Sequence, residues 1–150
     1  MVTQAQADLD PREHLGRDIS LDNVDDVKIG RSDDFQLITF DDNLKQAMIN
    51  RLRTAIGEIT LHPDYGSQLH EVLGTNPTDD TLLLVRSHVR AALLQEPRIE
   101  TIDDINVFFR DNDLRTDVDV EVSVTPIQEL ETLNLVFRLF FEGTLVGGPN

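Results

Sequence analysis

Residues 43–66 read NLKQAMINRLRTAIGEITLHPDYG, and they decide the fold class. Leu44, Met48, Ile49, Leu52, Ala55 and Ile56 recur at the spacing that places side chains on one face of an α-helix. Arg51 and Arg53 lie off that stripe. Asp41-Asp42-Asn43 immediately upstream supplies capping oxygens and negative charge, both favourable at a helix N-terminus. Gly57 is the expected terminator, and His62-Pro63-Asp64-Tyr65-Gly66 then breaks the helical pattern with proline and glycine.

Working outward toward the C-terminus, a short helix is expected with Leu69, Val72 and Leu73 buried, ending at Gly74. Thr78-Asp79-Asp80, after Pro77, caps a longer helix whose apolar face is Leu82, Val85, Val89, Ala92 and Leu93. Its basic residues, Arg86 and Arg90, sit in the C-terminal half, where the helix dipole favours them. Pro97 stops it, since proline drives its predecessor out of the α region. The remainder changes period. Ile105, Val107 and Phe109 alternate with their neighbours, as do Val118, Val120, Val122 and Val124, and then Leu133, Leu135, Phe137, Leu139 and Phe141. Asp111-Asn112-Asp113 provides the first turn between these strands, and residues 126–131 the second separation.

Toward the N-terminus, residues 1–16 are polar and aperiodic and read as a flexible arm. A brief alternation at residues 18–21 and the run FQLITF at residues 35–40 predict a small strand or hairpin leading into the first helix. Three antiparallel strands with one apolar face need cover, and amphipathic helices precede them. The expected fold is therefore α+β. Two to three helices pack on one face of a small antiparallel sheet of three C-terminal strands, to which an N-terminal strand can add. Residues 17–142 form the domain and residues 143–150 a loose tail.

The 150-residue length suits one domain and one core. There is no cysteine, which removes disulfides and thiolate metal sites. The opening MVTQAQADLDPREHL contains no apolar stretch able to act as a signal peptide, and runs such as Leu82-Leu83-Leu84-Val85 are too short to span a bilayer. The expectation is a soluble protein that is not exported. A net charge of −15 makes nucleic acid an unfavourable partner. Asp outnumbers Glu by 19 to 9 and Arg outnumbers Lys by 11 to 2. Such a surface suits hydration at multimolar salt, as in a halophile, or an acidic protein that docks on a basic neighbour.

Little here resembles an active site. The Asp pairs at 25–26, 33–34, 41–42, 79–80 and 103–104 sit where turns and caps use aspartate. DNDLR at residues 111–115 begins like a calcium loop but lacks the glycine and glutamate that such loops require. His14, His62, His70 and His88 are scattered without ligand spacing. Glu58 and Asp64 could be imagined as a glycosidase pair, but that chemistry needs a sugar cleft, usually lined by aromatic rings, and the chain has one Tyr and no Trp. No catalytic residue, cofactor or metal is expected. Glu96-Pro97-Arg98 reads either as a helix stop with solvated charges or as a docking element in which Arg98 offers its planar fork to a partner carboxylate.

The order GRDISLD at residues 16–22, a short strand, the 43–66 segment, a further helix, EPRIETIDDINV at residues 96–107 and the valine strand resembles one family. It is that of the sheath initiators, or baseplate wedge proteins, of contractile phage tails and injection systems, which include proteins labelled lysozyme-like. The resemblance covers residues 16–142 and is most specific at Gly57-Glu58, at the His62 to Gly66 turn and at Glu96-Pro97-Arg98. It departs where some relatives have Arg after Gly-Glu and this chain has Ile59. The resemblance implies a structural, non-enzymatic component of a virion tail or injection-particle baseplate, made in the host cytoplasm. Its implied partners are wedge proteins, bound through Glu96, Pro97 and Arg98, the sheath protein, and tube or hub proteins, with six copies per baseplate. It further implies that strand edges within residues 115–124 and 133–142 template the sheath by β-augmentation. The alternatives are a lysozyme-like glycoside hydrolase of the tail, or another tail or secretion adaptor of the same fold.

Overall fold

The computed structural model describes residues 11–22, 26–75, 78–110, 117–129, 131–140 and 144–146. A 3-10 turn at Pro11–Leu15 leads into β1 (Arg17–Ile19), which pairs antiparallel with β2 (Leu37–Thr39). Helix α1 (Phe40–Arg53) and helix α2 (Asp79–Leu93) follow, separated by a 3-10 turn at Leu69–Glu71. The chain closes with β3 (Ile99–Phe109), β4 (Asp117–Pro126), β5 (Leu133–Phe140) and β6 (Thr144–Val146), an antiparallel sheet in the order β3-β4-β5-β6.

This is the expected α+β arrangement. The three long C-terminal strands are joined by a short fourth, and the N-terminal strands form a separate two-stranded sheet rather than adding to the first. The expected Asp111-Asn112-Asp113 turn, the DNDLR segment, residues 1–10 of the expected arm and most of the 143–150 tail lie outside the described residues.

The core is built from period-two and period-3.6 patterns meeting face to face. Val118, Val120, Val122 and Val124 of β4 and Leu133, Leu135, Phe137 and Leu139 of β5 are buried on one side of the sheet. Leu44, Met48 and Leu52 of α1 and Val85, Val89 and Leu93 of α2 close over them. In β3, Ile102 and Ile105 are both buried although three residues apart, which unbroken alternation forbids. A register shift between Ile102 and Asp104 inserts the extra residue that returns both side chains to the same face.

The helices differ from the sequence reading in three places. Helix α1 begins at Phe40 with Thr39 at the N-cap position, so Asp41-Asp42-Asn43 forms its first turn rather than its cap. Asp41 and Asp42 still favour the dipole there, while Asn43 is buried and donates from Nδ2 to the Leu15 carbonyl at 2.8 Å. Phe40 holds a left-handed φ of 56°, a strained conformation for a bulky residue, anchored by its N–H bond to the Gly16 carbonyl at 3.1 Å. At the other end, α1 stops at Arg53, short of Gly57, so Ala55 and Ile56 leave the stripe and Ile56 is exposed. The expected short helix after the His62 to Gly66 turn is a single 3-10 turn that buries Leu69. Helix α2 keeps its expected start, with Thr78 and Thr81 exchanging side-chain and backbone bonds as a capping box.

Strand order corrects the expected open edges. β4 is hydrogen-bonded on both sides, to β3 and β5, so residues 117–124 offer no edge. β5 meets β6 only over residues 138–140, which leaves its residues 133–137 bordered on one side among the described strands. β3 is the other border.

Candidate functional site

Ser67 is what ends α1 and shapes the turn that follows. Its N–H donates to the Thr54 carbonyl at 2.8 Å, its carbonyl accepts from Ile56 N–H at 3.2 Å, and its Oγ donates to the Leu52 carbonyl at 2.6 Å. The carbonyls that a continuing helix would leave to the next turn are thus taken by a different strand of chain. This brings Gly66 so close to Thr54 and Ala55 that any Cβ would collide with the Thr54 carbonyl, and its φ of 124° is one that glycine alone adopts readily. The Gly57 N–H closes the loop on the Pro63 carbonyl at 2.9 Å. Glu58 is exposed, and its Oε2 accepts from Ala55 N–H at 2.8 Å.

The loop so formed presents Tyr65 to the flank of α1. There the Arg51 guanidinium lies 4.4 Å from the centre of the Tyr65 ring, in cation–π range. Arg51 is buried, not off the apolar stripe. It follows Leu44 by seven residues and so shares its face, a position that the residue's charge concealed in the sequence reading.

Arg51 reaches Glu96, the first residue of Glu-Pro-Arg, with NH2 3.9 Å from Oε2. Glu96 is 6% exposed, so the helix-stop reading with a solvated Glu does not hold. Its Oε1 accepts from Arg98 Nε at 2.6 Å. Arg98 NH1 in turn donates to the Leu15 carbonyl at 3.0 Å, the same oxygen that receives Asn43 Nδ2. Two motifs that lie 30 residues apart therefore meet as one network. It ties the N-terminal turn, α1, the His62 to Gly66 loop, the end of α2 and the start of β3. Pro97 stands exposed at the surface beside it, and the Arg98 side chain is 23% exposed.

Electrostatics follow from that packing. One carboxylate sits between two guanidiniums, and the buried pairing restrains all three side chains. Burial raises the Tyr65 phenol above its ordinary value, with the Arg51 charge opposing and Glu96 adding to the rise, so the ring is neutral at physiological pH. A shallow groove of about 340 Å³ lies alongside, lined by Arg51, Leu61, His62, Pro63, Asp64, Tyr65 and Gln95.

Asp64 and His62 are exposed at the groove, and His70 places Nε2 at 2.7 Å from the Arg53 carbonyl. Among the described residues no three His, Asp or Glu side chains are grouped to hold a metal ion. None of the described helices is long and apolar enough to cross a membrane.

Comparison with known proteins agrees with this fold. The crystal structure of a Geobacter sulfurreducens protein assigned as a tail lysozyme superposes with a TM-score of 0.58 and 24% identity, over 66% of this chain and 88% of that one. At that identity the likeness speaks for the fold alone. No curated protein matches the chain. A family model described as contractile injection system sheath initiator matches residues 17–126, well over half of the sequence. The chain therefore belongs to the contractile injection system sheath initiator family, whose members are structural components of the baseplate.

Proposed function

We propose that this protein docks on baseplate wedge proteins through the Glu96-Pro97-Arg98 corner and templates sheath assembly through its open strand edges. The observation that carries the docking half is the network around Glu96. A buried carboxylate fixes Arg98 and, through it, the direction in which exposed Pro97 and the outer rim of Arg98 face. A corner immobilised before contact loses little further entropy on binding, which favours a docking role. Two nitrogens of Arg98 already serve the fold, so its contribution to a partner is positioning as much as charge. For templating, β3 and residues 133–137 of β5 are the borders at which an extended arm of the sheath protein can add by β-augmentation.

The test is genetic and structural together. Arg98→Ala, with folding verified by circular dichroism, is expected to lower incorporation into baseplates about tenfold. Deletion of the whole protein should leave tubes without sheath. Normal particles from the Arg98 variant would remove the docking assignment. The lysozyme-like alternative fits the site poorly: Glu58 is exposed and caps Ala55, and Asp64 is exposed on a shallow groove. Turnover of peptidoglycan by the purified chain would revive it.

A further inference from the structure

The N-terminal ribbon carries an apolar face that the docking corner and the strand edges do not use. Beyond β1 and β2 the ribbon extends through two further bridges, Leu21 to Val27 and Ile29 to Phe35. The Lys28 N–H donates to the Ser20 carbonyl at 2.9 Å, and Gln36 N–H donates to the Lys28 carbonyl at 2.9 Å, so residues 26–30 are inserted between the two outer segments. Directly opposed residues in antiparallel pairs project to the same side, and next-but-one residues in a strand do likewise. Val27, Ile29, Phe35 and Leu37 therefore share one face, with Ser20, Lys28 and Gln36 on the other.

Those four side chains are 38%, 56%, 56% and 59% exposed. A short β-ribbon is marginal in water unless a second layer covers its apolar face. α1 holds the ribbon through Gln46, whose side chain donates to the Ile19 carbonyl and accepts from Leu21 N–H at 2.9 Å each, yet the four apolar side chains stay open to solvent.

We infer that the face formed by Val27, Ile29, Phe35 and Leu37 is an interface for a different baseplate protein that offers an apolar surface bordered by arginine and lysine. This rests on the baseplate reading. Charge selects the occupant. Residues 17–39 contain six aspartates against three basic side chains, and Asp22, Asp26, Asp33 and Asp34 stand at the two ends of the apolar strip. A second copy would bring the same aspartates against these ones, within a chain of net charge −15. A basic-rimmed surface would complement this acidic surround while its apolar centre covers the strip.

The experiment replaces Phe35 with a benzophenone-bearing phenylalanine in the full-length chain, assembles it into the parent particle and irradiates. The expected result is a cross-link to one other polypeptide, at an apolar segment flanked by Arg or Lys. In parallel, the double variant Ile29→Asp with Phe35→Asp should keep its melting temperature and lose at least about tenfold in incorporation. A cross-link to a second copy or to the chain's own residues would overturn the inference. So would an unlinked Phe35 in assembled particles, or normal incorporation of the double variant. Absence of the unaltered chain from particles would overturn the baseplate reading and this inference with it, whereas presence with Phe35 unlinked overturns the inference alone.

Discussion

β4 and the N-terminal ribbon follow the same alternation and meet opposite fates. The four valines of β4 are at most 1% exposed, while Ile29 and Phe35 of the ribbon are each 56% exposed. Nothing in the strands themselves makes this difference. Helices α1 and α2 bring apolar stripes to the β4 side of the sheet, whereas Val27, Ile29, Phe35 and Leu37 stand outside the core cluster and exposed. Alternation thus specifies that a face is apolar, and the neighbouring layer decides whether it is interior. The ribbon is the place where this chain has the first without the second.

Matched truncations on the two faces should have very different costs. Leu139→Ala, at a fully buried position of β5, is expected to cost about 3–4 kcal/mol in urea unfolding. Ile29→Ala in the isolated chain should stay within about 0.5 kcal/mol. Equal losses would show that the ribbon face is covered in solution. The next effect tests what holds the cover in place. Glu96→Ala leaves Arg51 buried without its carboxylate and should cost about 3 kcal/mol, at the low end because Arg98 is 23% exposed and the Arg51 contact is 3.9 Å long. A loss below about 1 kcal/mol would demote the network to surface decoration.

The smallest effect depends on pH. Burial raises Tyr65 above its ordinary 10.0, so the folded chain keeps the phenol proton to higher pH than the unfolded chain does. The associated stability is whole below about pH 10, where both states are protonated, and declines as pH rises toward the folded value. Tyr65→Phe should flatten that alkaline decline relative to the parent. An unchanged profile would mean that the ring is solvated, and the loop with it.

Legibility in the sequence tracked how local the cause was. The long helices and the three long strands could be read because their periods repeat over many residues. β6 could not, since three residues flanked by glycine carry too little pattern. The end of α1 was misplaced because Ser67, a residue in the next segment, captures the carbonyls of Leu52 and Thr54. Arg51 was missed for a different reason. Its position matched the buried stripe, and only its charge argued otherwise, which a partner at Glu96 and a ring at Tyr65 overrule. The two site motifs were each visible, but their meeting is a long-range fact that spacing cannot supply.

The bulge in β3 has a directional consequence. Arg110 N–H bonds the Asp117 carbonyl, so alternation turns the backbone groups of Ile105 and Val107 away from β4. Ile105 N–H is already held by Asp104 Oδ1 at 2.9 Å, and two register shifts disturb the strand before it. A strand laid along this border would have to displace the Asp104 side chain at Ile105 N–H, and finds regular alternation only from Ile105 onward. The border is half shut, a one-ended berth that fixes the phase of whatever enters and discourages the indiscriminate sticking to which a fully open edge is prone.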